Sequence, residues 1–179
     1  GGSGAELGNL SVAFKQLLLT TESSAVSGGI SVELPTADDT VIRNRAFYLR
    51  RSGESVNVAP YLGLLVTPTD RTFIQGFSQV SFDTNGESVL VEDRYSGQTA
   101  TGRLQDSSVL YASVQGGVWL YRADAGSTGA LTGVAGITEV HFNEMLQSAD
   151  QFSPTVGGVP LSFGSAGSRA GIVNLTTGL

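Results

Sequence analysis

The sequence predicts an all-β chain, an antiparallel up-and-down transmembrane β-barrel of roughly 8 to 10 strands. Three observations carry that expectation. Apolar and small-polar residues alternate one by one, as where Val26, Gly28, Ile30, Val32 and Leu34 interleave with Ser27, Gly29, Ser31 and Glu33. Successive strand side chains point to opposite sides, so this pattern makes one oily face and one wet face. The alternating runs are also long: a tilted spanning strand needs about 9 to 11 residues, whereas an average soluble strand has about 5 to 6. Finally, short turns take turns with long polar segments, the asymmetry of barrels with tight turns on one side and longer loops on the other.

The elements follow in order. Residues 8–20 form the first strand; residues 14–19 have spacing that also suits a helix, but they continue the alternation begun at Leu10 and Val12. Residues 21–24 turn the chain into a second strand over 24–35, stopped by Pro35 and the Asp38-Asp39 pair. Residues 41–51 carry Arg43, Arg45, Arg50 and Arg51 and read as a short hairpin or loop beyond the membrane boundary. Spanning strands resume over 56–67 and 72–83, joined by a tight turn at Thr67-Pro68-Thr69-Asp70, where proline presets φ. Asn85-Gly86 is a strong turn signal because both residues tolerate positive φ. Residues 87–102 read as a polar hairpin or long loop, 104–107 as a reversal and 108–121 as a long strand. A small-residue loop at 124–129, a strand over 131–145, a Gly/Ser/Pro-rich excursion over 148–169 and a strand from 171 complete the chain.

At 179 residues the chain suits one domain, residues 1–179, opened by a flexible Gly-rich segment or linker at 1–7. Hydrophobic residues make up 40% of it, yet no window approaches the roughly eighteen consecutive apolar residues of a spanning helix. A barrel tolerates that dilution, because half of each strand faces inward. With no cysteine there is neither a disulfide framework nor a thiolate metal site. The net charge is -6 and the ten cationic residues are scattered, so no basic stripe tracks a nucleic-acid backbone and no nucleic-acid partner is expected.

Several stretches carry a family resemblance: Gly8-Asn9-Leu10-Ser11-Val12, residues 29–36, Pro60-Tyr61-Leu62-Gly63-Leu64, residues 67–71, Gln75-Gly76-Phe77, Asp83-Thr84-Asn85-Gly86, residues 117–122, Glu139-Val140-His141-Phe142 and residues 174–179. In their order and spacing they resemble bacterial outer-membrane β-barrel proteins of the transporter type, including the family labelled for a phenol-degradation pathway. The resemblance implies an envelope protein without enzymatic activity, set in outer-membrane lipid by the barrel-assembly machinery. It supplies no substrate and no binding residues. Family barrels look longer than this chain, and an outer-membrane barrel usually ends on an aromatic residue, whereas residue 179 is leucine. Two expectations therefore stand together, a partial barrel lacking its closing strands and a small closed barrel of about eight.

With the oily face outward, the lumen side displays Lys15, Glu33, Gln75, Gln79, Ser81, Gln115, Glu139, His141 and Asn143. Such a row keeps a lumen wet and mildly favours cations, or else simply fills the interior by packing and hydrogen bonding. His141 is the only histidine, with Glu139 two positions before it on the same face. The nucleophilic serine that a barrel phospholipase sets beside its histidine has no counterpart in the rest of this strand, so no enzyme is expected. One histidine with scattered carboxylates lacks metal-ligand spacing, and no cofactor is expected. Trp119, Tyr121, Tyr61, Tyr48 and Phe47 suit either an interfacial aromatic girdle or an ordinary core. The competing fold is a secreted soluble β-sandwich acting as a binding or adhesion module, whose strands also alternate but turn about every 8 to 12 residues.

Overall fold

The structure, a computed structural model, describes residues 8–123, 130–164 and 169–179. The described residues are all-β and contain no helix. In chain order the strands are β1 (Leu10–Thr20), β2 (Ser24–Leu34), β3 (Thr40–Arg43), β4 (Phe47–Arg51), β5 (Asn57–Thr69), β6 (Thr72–Asp83), β7 (Glu87–Asp93) and β8 (Thr99–Leu104). There follow β9 (Val109–Arg122), β10 (Gly133–Met145), the two-residue strands β11 (Gln151–Phe152), β12 (Thr155–Val156), β13 (Val159–Pro160) and β14 (Phe163–Gly164), and finally β15 (Gly171–Gly178).

The long strands make one antiparallel sheet in the order β1-β2-β5-β6-β9-β10-β15. Among the described residues it is an open meander of seven strands with β1 and β15 at its edges, and not a closed barrel. Six of its strands run 11 to 14 residues, and β15 has 8. The helix-like spacing in β1 has a local cause. Pairing with β2 shifts register between Leu17 and Leu19, so a β-bulge absorbs the extra leucine and the strand continues. The turn expected at Thr67–Asp70 lies further on, since Thr69 still pairs with Thr72 and the reversal falls on Asp70 and Arg71. Pro68 sits within the irregular stretch of that pairing, where its missing N–H breaks no ladder bond.

The segments expected as hairpins or loops, residues 41–51 and 87–102, are both hairpins, and the feature their sequences did not indicate is how they associate. They pair with each other through β4 and β7, giving a second antiparallel sheet in the order β3-β4-β7-β8. Alternation explains it: Phe47, Leu49, Val89, Val91, Ala100 and Leu104 fall on one face, and the excursion after β10 folds Phe152, Val156, Leu161 and Phe163 onto them. The Phe152 and Phe163 rings stack at 6.2 Å. The reversal from β12 to β13 uses Gly157 and Gly158, both at positive φ, which delivers Val156 to this core. Nearly all the buried apolar residues lie here, and of those in the large sheet only Ala59 is buried. Phe47 thus packs against this core, and Tyr48 lies in the same small sheet under the Arg43 guanidinium.

The small sheet grows from one end of the large one, at the ends of β2, β6 and β10, while the reversals at 21–23 and 70–71 lie at the other. The Asp83-Thr84-Asn85-Gly86 turn knits the junction. Asp83 is buried, and its carboxylate accepts the N–H of Asn85, Gly86 and Asp106 at 2.9 to 3.2 Å. Asn85 accepts from the Val56 N–H at 2.8 Å and donates to the Glu54 carbonyl at 2.8 Å. Only Gly86 of the Asn-Gly pair takes positive φ, 65°. The loop expected at 124–129 and the segment at 1–7 lie outside the described residues.

Candidate functional site

Register decides which side chains share a face. Val12 lies opposite Val32, Val32 opposite Val58 and Val58 opposite Phe82, and likewise Gly76, Val114, Val140 and Leu175 form one row across four strands. One face of the sheet is therefore predominantly apolar, interrupted by Gln16, Ser78 and Thr138 and, at one end, by Glu144. The opposite face carries the rows Leu17-Ser27-Gly63-Phe77-Ser113-His141-Asn174 and Gln75-Gln115-Glu139-Thr176.

The two faces meet solvent in the reverse of the usual order. Along β9, Val114, Val118 and Leu120 are exposed, whereas Ser113, Gln115 and Trp119 are half-covered and Gly117 is buried. The polar face is shaded because the sheet curls toward it. A single trough of about 510 Å³ touches Lys15 on β1 and Glu139 on β10, the first and sixth strands of the sheet. Small residues on that face permit the curl. The Tyr61 ring lies over Gly29 and the Phe73 ring over Gly117, each in space that a Cβ would fill. The Tyr61 hydroxyl reaches across β2 to donate to the Phe14 carbonyl at 3.2 Å. Trp119 packs against Phe73 with ring centres 5.7 Å apart and covers Gly133, so Trp119 and Tyr61 pack on the polar face.

Every residue expected on the polar face is there by register: Lys15, Glu33, Gln75, Gln79, Ser81, Gln115, Glu139, His141 and Asn143. They do not form one cluster. Lys15, Gln75, Gln115 and Glu139 line the trough just described. Gln79, Ser81, His141 and Asn143 line a second hollow of about 460 Å³ with Phe77, Tyr111 and Ser113. Glu33 stands apart near the chain's beginning, accepting from the Asn9 side chain at 2.8 Å. The His141 Nε2 lies 3.5 Å from the Glu139 carboxylate.

Along its own strand His141 has no serine beside it. The register instead sets Ser113 on β9 directly across from it and Asn174 on β15 on its other side. Only cross-strand pairing could have revealed these neighbours. The Ser113 hydroxyl makes no hydrogen bond to the imidazole among the described residues, and strand N–H groups committed to the ladder cannot serve as oxyanion donors. Chemically, the face offers solvation, hydrogen bonding and charge. Compared with protein-family models, with curated protein sequences and with solved structures, the chain matches none.

Proposed function

We propose that the large sheet is the wall of an outer-membrane β-barrel that passes small solutes passively. The apolar face lies against lipid and the shaded polar face lines a water-filled lumen. The observation that carries this is the inverted exposure: Val12, Phe14, Leu62, Val114, Leu120, Val173 and Leu175 are each more than half exposed. Burying one such side chain is worth about 1.5 to 3 kcal/mol, so a sheet-wide apolar face calls for an apolar surrounding. Six strands are long enough to cross a hydrocarbon core, and the resemblance to bacterial outer-membrane transporters points the same way. Outer-membrane lipid and the assembly machinery of that membrane are then its partners.

Strand parity bears on how such a barrel closes. With seven antiparallel strands, β1 and β15 run in the same direction. Joining them directly would make a parallel seam, whereas an odd number of further strands between them keeps every pair antiparallel and gives the even total usual in bacterial barrels. The soluble β-sandwich reading has less support, because the second sheet packs its own small core with the β11 to β14 segment instead of covering the apolar face.

Purified protein reconstituted into a planar bilayer should give stepwise conductance with a mild cation preference, weakened in Glu33→Gln and Glu139→Gln. A protein that stays monodisperse without detergent would overturn the membrane assignment. Saturable uptake of one compound would replace the passive pore with a dedicated transporter.

A further inference from the structure

Lys15 and Glu139 come from opposite sides of the curled sheet, yet line one trough of about 510 Å³. Between them Gln75 and Gln115 lie side by side in register, and Gln115 is in turn opposite Glu139. We propose that this trough is a binding site for small zwitterions, molecules carrying an ammonium and a carboxylate on one short chain.

Opposite charges on the two walls select for such a solute. A lone cation drawn to Glu139 also meets Lys15, and a lone anion drawn to Lys15 meets Glu139, so each gains from one wall and loses at the other. A zwitterion oriented with its carboxylate toward Lys15 and its ammonium toward Glu139 gains at both. The two glutamine amides that line the trough, each with donors and an acceptor, can bond the polar atoms of such a solute. Three-quarters of the Glu139 side chain is shielded from solvent, which strengthens its field relative to a fully hydrated carboxylate. His141, 3.5 Å away, limits where that carboxylate can swing. The volume falls within the range of about 300 to 1,000 Å³ typical of small-molecule sites. This inference rests on the polar face being a wet surface, but it requires binding and not passage.

The test uses the 179-residue chain in detergent micelles, titrated with 6-aminohexanoate and followed by saturation-transfer NMR. Hexanoate and hexylamine supply the two single-charge controls. Saturable binding is expected for 6-aminohexanoate, at least about tenfold weaker for either control and in Lys15→Met or Glu139→Gln, as befits loss of one charged partner. The double swap, Lys15→Glu with Glu139→Lys, should restore binding with the ligand reversed. Equal binding of all three probes to the unaltered protein overturns the site whether or not the variants fold, as does unchanged affinity in well-folded single variants. Zwitterion binding without bilayer conductance would remove the pore and keep the site; conductance with no zwitterion binding would remove the site alone.

Discussion

At the scale of single residues, the two faces of one strand make opposite demands on the same substitution. Val32→Arg or Val114→Arg puts a charge on the apolar face, and at a bilayer midplane this costs about 2 to 4 kcal/mol. Ser31→Arg and Ser113→Arg point to the polar side and should be tolerated. A folding assay in lipid vesicles that found equal losses on both faces would reverse the assignment. Gly29 makes a different demand, since a Cβ there would collide with the Phe14 carbonyl and the Tyr61 ring. Gly29→Val should displace the ring, flatten the curl and destabilise the sheet by about 1 to 3 kcal/mol, read as a lower unfolding midpoint. Gly116 has open space around its missing Cβ and lies on the apolar face, so Gly116→Val serves as the control. These contrasts were legible in the alternation for the faces, but not for Gly29, whose neighbours come from strands 15 and about 32 residues away along the chain.

At the scale of elements, the pairing of the two hairpins into a small sheet with its own core decides where a protease should cut. Residues 87–104 carry buried Val89, Val91 and Leu104, so this segment should resist limited proteolysis while the residues between β10 and β11 are cut first. Early cleavage within β7 would contradict the core assigned to it. The same sheet should be acid-sensitive. Asp39 is held below the ordinary value of 3.8, chiefly by its bond with the Arg50 side chain and then by the Gly53 N–H. Asp93 is held below it by the Ser96 hydroxyl and the Tyr95 N–H. Both folded-state values are depressed, so the stabilisation is present above 3.8 and is lost as pH falls through the lower folded values. Amide exchange in β4, β7 and β8, corrected for intrinsic rates, should accelerate below 3.8, and Asp93→Asn should blunt the effect.

At the scale of the whole molecule, parity makes a prediction that no local feature contains. The chain has no cysteine, so a pair introduced at Phe14 on β1 and Leu175 on β15 would be its only thiols. A disulfide needs Cα atoms within about 7 Å, which only direct closure of seven strands would bring about. Oxidation should therefore leave the pair uncross-linked within one chain. An intramolecular disulfide would mean that the sheet closes through a parallel seam.

Side-chain alternation is a property of each strand alone, so the long strands and their faces could be read without knowing any partner. Leu10, Val12 and Phe14 needed no neighbour to be assigned to one side, nor did Gln75 and Gln79 to the other. Only the tertiary structure decided which strands lie together. The pairing of β4 with β7 joined two hairpins into one sheet with a core, and the curl brought Lys15 to the trough that Glu139 also lines. The physical reason is separation along the chain. Residues 15 and 139 come to line one trough only through register and curvature summed over six strands, and each register depends on bulges, turns and ring-over-glycine contacts that no single segment encodes.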